Sequence, residues 1–314
     1  MLSRTSIKAI LLMAAGIASL VTMDATVKLL VTGNIHPIQI LAYRSVLISL
    51  VLLIFFKIRG QASSLWPHRW RLQIVRALVG FIAPCTFFMS LKFLAQADAT
   101  VIFFSAPLII TVSSVIFLKE RFGLHRWVAV IAGFIGVVVA LNPEVGGIFG
   151  AEKFNGYLLA LTGSVAYAAL FLLGRYLSKT ESTPSLVMSY NAGVGIIAFA
   201  LLPWFWAPMD TQQFLVLTLL ATLAVIGHFC ITAAFASAEA SLLSPIEYSA
   251  LFWAIFYDWL LWQHAPNTQT LLGGSIVIVA GLYFFYRERL VGKYFVVKRN
   301  LILQEQIRSV KMYP

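Results

Sequence analysis

Residues 8–31 read KAILLMAAGIASLVTMDATVKLLV, and residues 156–177 read GYLLALTGSVAYAALFLLGRYL. As a helix, each is long enough to cross a hydrocarbon core of about 30 Å, which takes about 20 residues. At a constant offset of 147, Gly16 falls on Gly163 and Lys28 on Arg175, and the register continues to Pro37 on Pro184 and Tyr43 on Tyr190. Small residues recur in all packed membrane helices, but charged and proline matches in one register point to an internal repeat.

Working outward, ten apolar stretches cover roughly 8–31, 38–58, 72–92, 97–118, 125–142, 156–177, 187–207, 213–236, 242–262 and 269–287. They form two groups of five. An odd number of crossings per copy places the second copy upside down, which predicts an all-α integral membrane protein with ten transmembrane helices in two inverted repeats. The expected units are 8–142, 153–287 and a basic tail, 288–314. Further matches support the pairing: Ala97-Asp98-Ala99 with Ala238-Glu239-Ala240, Gly133 with Gly274, and Gly136 with Gly281. The first stretch follows Arg4 and Lys8 like a signal sequence, yet its length, Asp24 and the lack of a small-residue cleavage site mark it as a retained span.

Composition agrees: 60% of residues are hydrophobic, 11% are charged, and the mean hydropathy is +0.88. A soluble domain could not cover itself with so little polar surface. The runs lack the alternation of a membrane barrel. The net charge of +11 follows sidedness rather than a nucleic-acid partner. With both termini in the cytoplasm of an inner-membrane protein, most Lys and Arg collect on that side, against Lys28, Lys92 and Lys153 outside. The tail, with Arg287, Arg289, Lys293, Lys298 and Arg299, is suited to anionic lipid headgroups or to solvent. A second copy of the chain is a further candidate partner. Cys85 and Cys230 fall in apolar spans and read as small hydrophobes. The five histidines lack metal-ligand spacing, and neither a phosphate-binding loop nor a hydrolase motif occurs, so no metal, cofactor or enzymatic role is expected.

Charges within the spans are the candidate site, because each is expensive in lipid unless it is paired or faces a cavity. Asp24 and Lys28 stand four apart on one helix face, and Arg44 reaches a similar depth from the next helix. One acid and two bases make either a structural neutralising network or a clamp for a carboxylate or phosphate, to which the Arg44 fork is suited. Glu247 and Asp258, eleven residues apart, read as one face of the ninth helix. Glu247 is the deeper of the two and the candidate for proton coupling. Tyr248 and Trp253 are candidate ligand contacts, with core packing the plainer reading for Trp253. Pro84, Pro107 and Pro245 are candidate hinges, since each frees a backbone carbonyl.

These residues resemble the EamA-like branch of the drug/metabolite transporter superfamily, over about residues 8–287. The first half carries the resemblance in Asp24-Ala-Thr-Val-Lys28, Pro37-Ile-Gln-Ile with Tyr43-Arg44, Ala97-Asp-Ala, Ala106-Pro107, Leu118-Lys-Glu120-Arg121 and Gly133-Phe-Ile-Gly136. In the second half it lies in Gly174-Arg175-Tyr176-Leu177, Ala240-Ser-Leu-Leu-Ser-Pro245, Glu247-Tyr248, Pro266, Gly273-Gly274 and Gly281-Leu282-Tyr283. The resemblance implies a ten-helix fold with a central cavity lined by helices other than the fifth and tenth, and the movement of small metabolites. The Asp24, Arg44 and Tyr248 segments look most like the subgroup with S-adenosylmethionine and riboflavin uptake carriers. The acid that relatives carry after the ninth helix, matching Glu120, is replaced here by Gln263-His264-Ala265-Pro266. The expectation is a secondary transporter of a small polar or zwitterionic substrate, working by alternating access, with proton coupling or exchange. The rival is a lipid-handling or sensory protein on the same fold.

Overall fold

The computed structural model describes residues 4–118, 123–141, 151–238, 240–284 and 286–287. The tail from 288, the 119–122 and 142–150 connections and Glu239 lie outside the described residues, and with them Glu120 and the expected Asp98/Glu239 match. The described chain is helical: α1 (Arg4–Thr32), α2 (Pro37–Ile58), α3 (Trp70–Ser90), α4 (Gln96–Phe103), α5 (Ser105–Leu118), α6 (Leu124–Leu141), α7 (Ala151–Leu177), α8 (Thr183–Phe205), α9 (Thr211–Ser237), α10 (Ala240–Glu247), α11 (Ser249–Trp262) and α12 (Thr268–Phe284). Seven helices are long and apolar enough to cross a membrane, with α4 and α5 counted together, while Trp127–Leu141 and α12 are shorter apolar helices. Exposed Leu50, Ile54, Ile116, Ile196 and Phe229 leave the bundle with an apolar exterior, as a lipid-facing surface requires.

Local chemistry sets the helix ends. His36 caps α2, accepting from the Ile38 N–H through Nδ1 ahead of Pro37. Asp210 and Gln213 form a reciprocal capping box on α9, which satisfies donors that a first turn leaves open. Asn34 takes a positive φ of 66° in the turn between α1 and α2, a conformation that its short polar side chain tolerates.

Helix α1 packs against α9, α3 against α7 and α2 against α8. The first two crossings correspond atom by atom. A methyl group added to Gly16 would stand 3.1 Å from both the Gly227 carbonyl oxygen and the Ile231 nitrogen; one added to Gly163 would stand 3.2 Å from the Ala83 oxygen and 3.3 Å from the Phe87 nitrogen. Gly163 follows Gly16 by the sequence offset of 147, while Gly227 and Ile231 each follow Ala83 and Phe87 by 144. Small residues at both sites let the backbones touch.

Two expected helices are broken, and in the same way. The first comprises α4 with 8 residues, Phe104 and α5 with 14; the second comprises α10 with 8, Tyr248 and α11 with 14. The Phe104 and Tyr248 rings meet edge to face, 5.3 Å apart. Helix α4 begins at the end of the bundle where α1 finishes, beside the last turns of α11, so the two broken helices run antiparallel past one another. Pro107 accounts for the first break, because it cannot donate to the carbonyl of Phe103 four residues before it. The other expected hinges behave differently: Pro245 lies inside α10 ahead of the break, and α3 continues unbroken through Pro84.

Candidate functional site

The expected grouping of Asp24, Lys28 and Arg44 divides in two, and Glu247 parts from Asp258. Lys28 turns toward α11, where its Nζ donates to Asp258 Oδ1 at 2.7 Å. Asp258, 1% exposed, also accepts from the Gln96 N–H at 3.0 Å and the Ala97 N–H at 2.8 Å. A carboxylate from one half thus caps the first turn of a helix in the other, where unpaired N–H groups and the helix dipole favour negative charge. The Gln96 side chain adds a bond to the Val21 carbonyl at 2.9 Å. The Lys28 ammonium lies 4.3 Å over the Trp262 ring. These contacts join α1, α4 and α11 at the Thr32 end.

Asp24 instead lies within electrostatic reach of Arg44. At 1.5 Å per residue, Arg44 is about 10 Å along α2 from its start. It is 6% exposed. Its Nη1 stands 4.0 Å from the Met23 sulfur, its guanidinium 5.7 Å from the Phe88 ring centre, and its buried Nε has no hydrogen-bond partner. Such a desolvated cation keeps donor capacity that these neighbours leave unused. His228 of α9 also lies within electrostatic reach of Arg44.

Glu247 ends α10, and the break at Tyr248 removes it from the face that carries Asp258. Tyr167 of α7 lies within electrostatic reach of both Glu247 and Tyr190, and its ring is 5.1 Å from that of Phe103. It is nevertheless 39% exposed. Tyr167 thus stands among residues of α4, α8 and α10. Tyr248 reaches out of this region toward α12, where a methyl group on Gly281 would collide with its hydroxyl. Trp253 packs edge-on against Phe252 and Phe256 of its own helix at 5.5 and 6.0 Å. Thr22 and Tyr257 share a hydrogen bond of 2.6 Å between α1 and α11.

Sequence reasoning missed Tyr167, Tyr190, His228 and Gln96. Tyr190 carried a signal, as the repeat partner of Tyr43; Tyr167 and His228 are single polar groups within apolar runs and Gln96 stands just before one, and only the tertiary packing gives them their partners. Among the described residues no cluster of His, Cys, Asp or Glu could hold a metal ion.

The sequence profile of the EamA-like transporter family matches residues 7–142 and again residues 154–287. The chain belongs to the EamA-like transporter family. This EamA-like protein is 26% identical over 257 residues to the S-adenosylmethionine uptake transporter of Rickettsia conorii, covering 82% of this chain and 85% of that one. It is 26% identical over 235 residues to the riboflavin transporter of Vibrio cholerae, covering 73% and 76% respectively. A solved crystal structure shares the fold with a TM-score of 0.61 at 18% identity, over 91% of this chain and 97% of the other. The EamA-like chain is therefore a multi-pass membrane transporter of small molecules rather than an enzyme.

Proposed function

We propose that this EamA-like protein is a secondary transporter of the cytoplasmic membrane that moves a small zwitterionic metabolite by alternating access. It does so between two inverted five-helix halves, with both termini in the cytoplasm. The observation that carries the reading is the division of charge around the interior. Arg44 and Asp24 stand within electrostatic reach of each other nearer the Thr32 end, while Glu247 and Tyr190 stand within electrostatic reach of Tyr167. Arg44 is placed to take a carboxylate, Glu247 to take a cationic group or a proton, and the tyrosines to flank an apolar or planar body. S-adenosylmethionine, named for the Rickettsia relatives, has all three features. The paired Gly16 and Gly163 crossings and the two antiparallel broken helices support the inverted arrangement.

The test is uptake into proteoliposomes of radiolabelled S-adenosylmethionine and a panel of amino acids. Arg44→Ala is expected to lower the initial rate at least tenfold at equal incorporation. Glu247→Gln is expected to abolish the response to an imposed pH gradient. Wild-type rates in Arg44→Ala vesicles for every transported substrate would refute the assignment of Arg44.

A further inference from the structure

Between the Thr32 end of α1, the turn from Leu91 to Ala95 and the end of α11 lies an open cleft of about 230 Å³. Its lining includes Lys28, Thr32, Lys92, Trp262 and His264. Lys92 and His264 are exposed. The local acids are withdrawn: Asp258 is 1% exposed beneath the cleft, and Asp98 is half-buried with its carboxylate accepting from the Thr270 hydroxyl. The cleft thus presents cationic and N–H donor groups to an arriving solute and keeps its carboxylates behind them.

Lys28 belongs to the cleft and to the Asp258 junction at once. Its ammonium has three N–H donors, and the bond to Asp258 Oδ1 is the one hydrogen bond it makes among the described residues. Asp258 does not depend on Lys28 alone, because the Gln96 and Ala97 N–H groups still hold it when the ammonium moves. An exchange of partners therefore leaves neither charge without a neighbour: the ammonium turns to an anion in the cleft, and the carboxylate stays on the first turn of α4. Breaking the pair without a replacement would strand a buried cation, which is costly.

We propose that this cleft is a vestibular binding site for the carboxylate or phosphate group of a solute, and that the bound anion draws Lys28 from Asp258. This loosens the Thr32-end closure between α4 and α11. The proposal rests on the transporter reading for its consequence, but binding itself is measurable without transport. Lys92 and His264 receive the anion first, and Lys28 completes the site.

The experiment titrates the purified full chain with inorganic phosphate and, separately, with acetate, and follows tryptophan emission in the wild type and in Trp262→Phe. Saturable quenching is expected in the wild type and absent in Trp262→Phe. The exposed changes Lys92→Gln and His264→Gln, made together, are expected to raise the half-saturating phosphate concentration at least fivefold, whereas Lys57→Gln, exposed in the last turn of α2, leaves it unchanged. Quenching that is equal with and without Trp262, or indifferent to Lys92 and His264, would overturn the site. The titration is repeated in nanodiscs of zwitterionic lipid and of lipid with phosphatidylglycerol. Quenching is expected in both, and its loss in the anionic discs alone would assign the cleft to lipid headgroups and overturn the solute site. Failure of the transport assay with phosphate binding intact would strike the transporter reading and spare this one.

Discussion

The two broken helices share one plan of lengths, yet their ends are held differently. At the Thr32 end, Asp258 of α11 caps α4 and takes the Lys28 ammonium. The position 144 residues earlier, in α5, is Ser114, whose hydroxyl donates to the Thr111 carbonyl of its own helix at 2.9 Å. Lys28 itself corresponds to Arg175, which is exposed. Helix α4 packs against α11, while the corresponding α5 carries no carboxylate to fasten α10. The repeat supplies the scaffold, and one acid on one copy turns a symmetrical crossing into a fastening at one end. Under the alternating-access reading proposed above, which needs two states of similar energy, such a fastening would favour the state in which α4 and α11 stay joined at the Thr32 end.

The largest expected effect tests that fastening. Asp258→Ala removes the partner of Lys28 and two helix-capping bonds together, and is expected to cost about 3–5 kcal/mol, the range for breaking a buried ion pair by removing one partner. Thermal unfolding in detergent reads it directly. Ser114→Ala, which deletes only a bond within α5, is expected to move the midpoint far less. Equal losses for the two variants would erase the contrast between the ends.

Much of the fold was legible because length and hydropathy dominate in lipid, and because the repeat register of Gly16 with Gly163 reports real backbone contacts. The site was only partly legible. Spacing on a single helix placed Asp24 beside Lys28, but each side chain answers to a different neighbour, Arg44 for one and Asp258 for the other. Glu247 and Asp258 lie three turns apart only if the helix is continuous, and the break at Tyr248 takes that condition away. A break falls at Phe104, three residues before Pro107, while Pro84 and Pro245 are carried within helices. A proline removes a donor, but whether the helix then parts depends on what packs against it.

The paired crossings offer an intermediate effect. Valine at Gly16 and at Gly163 is expected to destabilise by about 1–3 kcal/mol each through overpacking. Gly16 should suffer more, since a methyl group there already comes within 2.6 Å of Ile231 Cγ1, whereas the closest atom to one on Gly163 is at 3.1 Å. Denaturation of the two variants side by side measures how closely the halves match. A change felt at one crossing and not at the other would mean that the sequence repeat has lost its mechanical counterpart.

The smallest expected effect lies at the opposite end, where a carboxylate also caps a helix, but from a turn and not from a broken helix. Glu181, between α7 and α8, accepts from the Arg69 N–H at 2.6 Å and the His68 N–H at 2.9 Å, at the start of α3. Its side chain is fully covered, while the His68 ring is 82% exposed. Burial works against its charge, but the Arg69 and His68 N–H groups, the His68 ring and the Ser185 hydroxyl together hold the carboxyl below its ordinary 4.5. A carboxylate whose folded value is depressed contributes stability above the unfolded value and loses it as pH falls through the folded one. Glu181→Gln should therefore cost about 1 kcal/mol at neutral pH, and the gap to the wild type should close as the medium is taken well below 4.5. Unfolding midpoints across that range decide it. A gap that persists unchanged into acid would show that Glu181 acts by shape and not by charge, leaving Asp258 as the carboxylate whose charge fastens one half to the other.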